Sequence, residues 1–357
     1  MPETAMREAT GPSVWTGADL AADDRWRIAL GEAEQAALLA GLAAVQGRGL
    51  HLPQVEAADF PLDAALQALV SRIRHDLRDG RGFVLLSGFP VEGRSLDEIR
   101  LMYWGLSQHL GTCISQDPRA ALVADVMDRG QGRKKLTRGY GSKRFTPLHV
   151  DLGDVVGLLC IRQAEGGAPS LLASSGAVYN AFLREHPELV PQLLEGFAWD
   201  RFGEQSAWEP PVSPERIPVF SWSGEQLSCR YNRNWMISAF LREGRTLSNS
   251  ETLLFDFFDK AANDLRLEIP LGPGEVYFAN NYTVLHGRLE YAEDDAMAYF
   301  DKRHLLRIWI QIEGLRDVAD RRVRYGIGTH GHIGWTASEL LARKHLDPQS
   351  RREILRS

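Results

Sequence analysis

The sequence predicts an α+β fold, an antiparallel β-sandwich decorated by helices. Strand-like segments, which are apolar and β-branched or aromatic and end at Gly, Pro or Asn, dominate the middle and the end of the chain. Helical spacing of apolar residues dominates the N-terminal part and returns twice between those strands. Neither an internal repeat nor a linker-like stretch divides the 357 residues. We therefore expect one domain over residues 1–357.

The expected subdivision of this domain follows the change from helical to strand-like patterns. Residues 1–64 form an N-terminal helical and irregular segment, residues 65–315 form the core with helical insertions, and residues 316–357 form a C-terminal extension.

Individual elements follow from periodicity and from the residues that begin and end each run. Ser95 and Glu98 form the signature of a capping box at the start of one helix, and Ser250 or Asn249 is expected to cap a later one. The predicted helices cover residues 31–46, 64–77, 95–110, 177–190 and 250–264, and the predicted strands cover residues 82–90, 155–163, 218–222, 226–232, 274–281 and 303–314.

Composition argues against several classes of protein. Apolar residues make up 44% of the chain and charged residues 25%, which suits a globular protein with a sizeable core. The net charge is −6, and one basic cluster at residues 132–144 does not by itself indicate nucleic-acid binding. No apolar run approaches the roughly 18 residues of a membrane span, and no secretory signal opens the chain. Cys113, Cys160 and Cys229 fit no zinc or disulfide pattern, so we expect reduced thiols in a cytoplasmic protein.

The segment TPLHVDLGD contains the first candidate metal ligands, His149 and Asp151. Residues at i and i+2 of an extended strand project to the same face, so this imidazole and this carboxylate can bind one metal. His286, in a polar turn after a strand, is the best candidate for a third ligand. Two histidines and one carboxylate that leave adjacent positions open are typical of non-haem Fe(II) oxygenases. The alternative is a chance HxD triplet and a surface histidine.

Arg303 and Arg307 lie four residues apart, hence on one face of a strand that reads as buried. A buried guanidinium needs an anionic partner. Either the carboxylate of a bound oxo-acid or an internal Asp or Glu would satisfy it.

Five segments in order resemble the taurine dioxygenase/TfdA family of Fe(II)- and 2-oxoglutarate-dependent oxygenases, including its clavaminate synthase-like members. They span roughly residues 70–315, and the 135 residues between Asp151 and His286 (286 − 151) suit the family. The resemblance implies a double-stranded β-helix, or jelly-roll, core with flanking helices, and it implies Fe(II), 2-oxoglutarate and O2 as cofactor and cosubstrates. The segments are TPLHVD, EGGAPSLLASSGAVYNAFL, CRYNRNW, NNYTVLHGRLEY and RHLLRIWI.

The resemblance also implies a role for each matching residue. His149, Asp151 and His286 match the iron ligands, Arg303 matches the arginine that pairs with the distal carboxylate of 2-oxoglutarate, and Arg307 matches a position that supports the cosubstrate or faces the substrate. The interval from His286 to Arg303 is longer than is usual in the family, which leaves Arg307 as an alternative carboxylate partner.

A hydroxyl on 2-oxoglutarate is expected just after Gly166 and Gly167, and Ser170 is the candidate. The chain departs from the family pattern there, because Pro169 occupies the expected hydroxyl position. Ser174 or Ser175 is therefore an alternative.

Candidate substrate residues come from the segments that face the pocket in relatives. The alternative for the residues of CRYNRNW is a polar strand edge, and the alternative for Asn281 is that it shapes the turn before His286. The cations before TPLHVD suit an anionic or zwitterionic substrate such as an amino acid. The candidates are Arg144, Arg230, Tyr231, Arg233 and Asn281.

The leading hypothesis is a dioxygenase that hydroxylates an unactivated C–H bond of a small molecule, such as an amino acid or its derivative. The carboxylate of Asp151 favours hydroxylation over halogenation, since related halogenases replace it with a small residue. Alternatives are a desaturase, cyclase or epimerase that uses the same site, and a non-catalytic jelly-roll binding module. We expect no nucleic-acid or membrane partner, and the sequence leaves a homo-oligomer open.

Overall fold

The computed structural model describes residues 6–117, 119–129, 142–205, 209–324, 326 and 333–342. The strands within them are β1 (Arg27–Ala29), β2 (Phe83–Ser87), β3 (Thr112–Ile114), β4 (Val123–Val126), β5 (Thr146–His149), β6 (Val155–Arg162), β7 (Ser170–Ser174), β8 (Phe220–Ser223), β9 (Gln226–Cys229), β10 (Leu267–Ile269), β11 (Val276–Asn280), β12 (Val284–Arg288) and β13 (His304–Gln311). The larger sheet has the order β1-β2-β11-β6-β13-β3, with β4 also paired to β13. The smaller sheet has the order β10-β7-β12-β5, and β8 and β9 form a separate hairpin.

The five predicted helices are all present, although the one predicted over residues 177–190 ends at Glu185. Four further helices, Gly17–Ala21, Val190–Glu195, Arg233–Arg242 and Ala337–Ala342, were not predicted. Among all of these helices, none combines the length and the apolar character that a membrane crossing requires. In the described part of the chain they are α1 (Gly17–Ala21), α2 (Glu32–Gly47), α3 (Ala64–Arg78), α4 (Leu96–Leu110), α5 (Ser175–Glu185), α6 (Val190–Glu195), α7 (Arg233–Arg242), α8 (Asn249–Asp264) and α9 (Ala337–Ala342).

The start of α8 and the presence of α7 differ from the sequence-based expectation. Ser248, and neither Ser250 nor Asn249, caps α8, because its hydroxyl accepts from the Glu251 backbone N–H while the Glu251 carboxylate accepts from the Ser248 N–H. Asn232 caps α7 by accepting from Trp235 N, so the segment CRYNRNW turns into a helix instead of continuing as a strand.

Strand β13 separates two apolar layers because its side chains alternate between the faces of the larger sheet. Leu305 and Trp309 point into the layer shared with the smaller sheet. Leu306 and Ile308 point into the opposite layer, where helices α2, α3 and α4 cover the sheet. The fold is therefore a β-sandwich with flanking helices, as predicted. Strand β1 lies within the N-terminal segment and pairs with β2, and the single-domain organisation of residues 1–357 stays a prediction.

An ion cluster on β4 fixes the register of β13 beside it. Asp125 accepts a hydrogen bond from Arg100 at 2.6 Å and lies 2.8 Å from Nε2 of His304. Burial raises the pKa of Asp125, but the hydrogen bond with His304 and the charge of Arg100 outweigh it and bring the pKa to about 2. A carboxylate with a lowered folded-state pKa stabilises the fold above its unfolded-state pKa, and this contribution is lost as the pH falls through about 2.

We expect Asp125→Asn to lower the free energy of unfolding by about 2 kcal/mol at pH 7, because the folded-state pKa lies nearly two units below the ordinary value. Urea unfolding at several pH values measures the effect, which should shrink as the pH falls below about 4. Asp97→Asn is the control, since Asp97 faces the same Arg100 at 3.7 Å but is exposed. An equal loss in both variants, or a loss that persists in acid, would contradict this account.

Candidate active site

The three predicted metal ligands meet in the space between the two sheets. His149 and His286 are directly opposite each other in the pairing of β5 with β12, which brings their ring centroids to 4.5 Å. Asp151 follows β5 by two residues and lies next to both rings. Its Oδ1 is 3.7 Å from Nε2 of His149, and its Oδ2 is 3.5 Å from Nε2 of His286. One ligand atom from each of the three residues fits within a span of 4.8 Å.

The donor atoms of this triad are prepared for a divalent cation. Nδ1 of His149 lies 2.8 Å from the Pro147 carbonyl, to which it donates its N–H, and this leaves the Nε2 lone pair for a metal. Burial and the neighbouring His149 lower the pKa of His286, which favours its neutral, ligating form. Burial alone would raise the pKa of Asp151, but Arg307 and the two histidines hold it well below its usual value. Two neutral imidazoles and one carboxylate suit Fe(II), so the residues fit the implied metal.

Two predicted substrate residues, Arg230 and Asn281, instead hold the backbone of the metal loop. Arg230 donates from Nη1 to the Asp151 carbonyl at 2.8 Å. The Asn281 amide oxygen accepts from Asp151 N at 3.1 Å, and its Nδ2 donates to the Gly153 carbonyl at 2.8 Å. Neither side chain lines the cavity around the triad. In the structure both side chains bind buried peptide groups of the loop, and a contact of either with the substrate stays a prediction.

Two of the other three predicted substrate residues, Tyr231 and Arg233, also have internal partners. Tyr231 does not line the cavity; it donates its hydroxyl to Asp259 and stacks on Phe258. Arg144 is exposed and likewise lies outside the cavity lining. Arg233 does line the cavity, but it is paired with Asp259 and with Asp256. The preceding basic loop, residues 132–141, lies outside the described residues.

Arg303 lines the same cavity as the triad and is the buried cation that the sequence predicted there. Only 2% of its surface is exposed, and it forms no ion pair with any acid in the described part of the chain. Its Nε donates to Gln163 at 2.9 Å, and its guanidinium lies 5.1 Å from the centre of the Tyr291 ring. Burial lowers the pKa of Arg303, which marks the cost of keeping this charge away from water. A bound carboxylate would offset that cost.

Arg307, the alternative carboxylate partner, is engaged inside the protein. Its Nη1 donates to Oδ2 of Asp151 at 3.2 Å, and its Nε donates to Gln116 at 2.8 Å. Arg307 therefore compensates the charge of the metal-ligating carboxylate.

Of the three candidate hydroxyls, only Ser170 lines the cavity. Ser174 caps α5 and donates its hydroxyl to the Ser13 carbonyl at 2.6 Å. Ser175 is buried beside the Tyr282 carbonyl. The geometry favours Ser170, although Pro169 disturbs the family pattern before it.

Several cavity residues were missed at the sequence level. Arg288 follows His286 by two residues on the same strand face and donates to the carbonyls of Ser142 and Arg144, so strand alternation could have found it. An aromatic wall of Trp199, Phe202 and Trp235 comes from a loop and from α7; Trp235 ends the segment CRYNRNW, whereas no motif marks Trp199 or Phe202.

Sequence comparisons identify proteins that are similar to this chain. A family model described as taurine catabolism dioxygenase TauD, TfdA family, matches residues 46–309. The FR-33289 synthase of Streptomyces rubellomurinus (strain ATCC 31215) is 32% identical over 321 residues, which cover 88% of this chain and 94% of the relative. The taurine hydroxylase-like protein SAT17 of Stachybotrys chartarum (strain CBS 109288 / IBT 7711) is 27% identical over 316 residues, covering 82% and 77%.

Structural comparisons agree on the fold. An asparagine oxygenase in complex with Fe(II), 2S,3S-3-hydroxyasparagine and succinate superposes with a TM-score of 0.63 at 16% identity, covering 80% of this chain and 94% of that one. The non-haem iron oxygenase OrfP in complex with Fe and alpha-ketoglutaric acid gives a TM-score of 0.55 at 17% identity, covering 80% and 94%. At such identities the likeness establishes the fold, and it confirms the predicted jelly-roll core with flanking helices.

We expect Asn281→Ala to lower the free energy of unfolding by about 2–3 kcal/mol, because Asp151 N–H and the Gly153 carbonyl lose their buried partner. Urea unfolding measures the loss. Asn263→Ala is the matched control, since its amide makes one bond, to the Asp259 carbonyl, on a less buried helix. An unchanged stability together with weaker small-molecule binding would instead support a substrate role for Asn281.

Proposed function

Because this chain belongs to the TauD/TfdA family of Fe(II)- and 2-oxoglutarate-dependent oxygenases, we propose that His149, Asp151 and His286 hold its iron and that Arg303 receives its 2-oxoglutarate. The chain is a non-haem iron oxidoreductase that uses Fe(II), 2-oxoglutarate and O2. One observation carries the assignment of residues: the three ligand atoms and a buried arginine without an acidic partner among the described residues line one cavity.

Iron held by the triad would supply the activation of O2, with one oxygen atom going to the hydroxylated C–H bond and the other to 2-oxoglutarate, which would lose CO2 to give succinate. The protein side chains position the reactants for that chemistry. Arg303 and the Ser170 hydroxyl would hold the distal carboxylate of 2-oxoglutarate in the cavity that they share with the triad. Leu158, Leu305 and Trp309 line the cavity between them and exclude water.

We propose that the substrate is a small molecule with a negative charge, such as an amino acid or its derivative. Asp151 is the only acid among the described cavity-lining residues, whereas four arginines line the cavity. Asp256 and Asp259 pair with Arg233, which leaves the three positive charges of Arg288, Arg303 and Arg307. Together with Fe(II) these arginines leave a net positive charge even when 2-oxoglutarate is bound, which favours an anion at the remaining open end. The aromatic wall around Trp235 would contact the apolar part of that substrate.

Hydroxylation is the proposed outcome because Asp151 occupies the carboxylate position, and desaturation, cyclisation or epimerisation at the same site remain alternatives. Retention of the complete triad and of Arg303 disfavours the non-catalytic binding module. A cytoplasmic location and the absence of a nucleic-acid or membrane partner stay predictions, as does the oligomeric state.

Anaerobic titration with Fe(II) and then 2-oxoglutarate should produce the visible charge-transfer band of an iron–keto acid chelate. We expect His149→Ala to abolish the band, since one of three protein ligands is lost. Arg303→Met should keep Fe(II) affinity but weaken 2-oxoglutarate about 10–100-fold, because a charge-assisted hydrogen bond to a buried carboxylate is lost. The absence of this band in the wild type would contradict the oxygenase assignment.

Matched variants separate the cosubstrate contact from general effects of charge and stability. Arg316→Met removes a partly buried arginine outside the cavity and should leave 2-oxoglutarate affinity unchanged. Ser170→Ala should weaken 2-oxoglutarate about fivefold, whereas Ser174→Ala should only destabilise the protein, by about 1 kcal/mol, through its lost helix cap. If Arg307→Met, and not Arg303→Met, selectively weakens 2-oxoglutarate, the two arginines have been assigned the wrong way round.

A screen of succinate release tests the substrate class. Small acids and zwitterions, including amino acids and their N-acylated forms, should stimulate 2-oxoglutarate turnover, because the cavity carries a net positive charge. Primary amines and quaternary ammonium compounds of the same size are the controls. Stimulation by the cations alone would contradict the proposed substrate charge.

A further inference from the structure

We propose that Trp309 is the positioning residue that engages Oδ2 of Asp151 and thereby selects Oδ1 as the oxygen that binds the iron. The inference rests on the proposed function, since it concerns the same metal centre. Each polar atom of Asp151 has a defined environment within the described residues.

The backbone of Asp151 is held on both sides. Its N–H donates to Oδ1 of Asn281 at 3.1 Å, and its carbonyl accepts from Nη1 of Arg230 at 2.8 Å. Both partners are almost fully buried, with 0% and 1% of their surfaces exposed. The peptide group that carries the metal-ligating side chain therefore has a fixed position and direction.

The carboxylate of Asp151 has one occupied oxygen and one open oxygen. Oδ2 accepts from the indole N–H of Trp309 at 2.8 Å and from Nη1 of Arg307 at 3.2 Å. Two donors use the two lone pairs of a carboxylate oxygen in its plane. Oδ1 accepts no hydrogen bond within the described residues and lies 3.7 Å from Nε2 of His149. Oδ1 is thus the oxygen whose lone pairs remain available to a metal.

Trp309 differs from Arg307 in how firmly it can direct the carboxylate. Arg307 has several N–H donors and uses one of them to bind Gln116. Its main contribution is therefore to compensate the charge of Asp151. Trp309 has a single N–H on a rigid ring, is 1% exposed, and is paired on β13 with both β3 and β6.

The metal loop is shaped to admit this indole. A Cβ at Gly153 would lie 2.9 Å from Cβ of Trp309, closer than side chains normally approach. Glycine at this position therefore lets the loop after Asp151 pass directly over the tryptophan.

Trp309→Phe tests the proposal because it keeps an aromatic ring and removes the N–H. Equilibrium dialysis with Co(II), an oxygen-stable probe for the iron site, should show affinity about 10–100-fold weaker than in the wild type, the usual effect of losing a partner of a metal ligand. Trp104→Phe is the matched control: Trp104 is also fully buried and donates its indole N–H, at 2.8 Å, to the Val55 carbonyl in the other apolar layer. It should lower stability and leave Co(II) affinity within about twofold.

The outcomes separate the failure of this inference from the failure of the proposed function. If wild type and His149→Ala bind Co(II) equally, the metal site itself is misassigned. If His149→Ala loses Co(II) while a folded Trp309→Phe retains wild-type affinity, the positioning role of Trp309 is overturned. X-ray absorption of the Co(II)-loaded wild type needs no variant: a long Co–carboxyl carbon distance supports one-oxygen coordination, and a short one, from two bound oxygens, overturns it.

Discussion

The buried carboxylate of Asp151 is the constraint on which the rest of the site depends. A charge removed from water is tolerated only when it is paired and hydrogen-bonded, and Asp151 is 9% exposed. The compensating groups come from distant parts of the chain: Arg307 and Trp309 from β13, Arg230 from the segment after β9, and Asn281 from the turn after β11. Residues from the two sheets and from the segment after the β8–β9 hairpin therefore meet at this one side chain. A metal ion would complete the compensation, because it adds positive charge between the carboxylate and the two imidazoles.

Strand β13 shows how the site and the core share one element. Its inward side chains at 307 and 309, together with Arg303 just before the strand, serve the metal centre and the cosubstrate pocket, while its outward side chains pack against the helices or pair with Asp125. The two arginines on the inward face have different roles. Arg307 neutralises an internal acid, whereas Arg303 is buried without one in the described structure and is available to an incoming carboxylate. One face of the sheet therefore carries an arginine whose charge is balanced inside the protein and an arginine whose charge a bound ligand would balance.

The sequence could predict those parts of the site that depend on local spacing. Two-residue spacing put His149 and Asp151 side by side, and four-residue spacing put Arg303 and Arg307 on one face of a strand. Cross-strand contacts could not be predicted in this way, because the pairing of His149 with His286 depends on how β5 meets β12. The contacts of Arg230 and Asn281 with the metal loop could not be predicted for the same reason: a polar residue near the site can serve either the backbone or a ligand, and only the fold decides. Two features that were not predicted did have local signals in the sequence. Trp309 lies two residues after Arg307, on the same strand face, and Ser248 lies three residues before Glu251, which is the spacing of a capping box.

The central claim is that one iron ion lies between His149, Asp151 and His286. Anomalous diffraction at the iron absorption edge, from crystals grown without oxygen in the presence of Fe(II), tests it most directly. The account predicts a single strong peak within bonding distance of Nε2 of both histidines and of Oδ1 of Asp151. A peak elsewhere, a peak on Oδ2 in place of Oδ1, or no peak in crystals that contain iron in solution would contradict it.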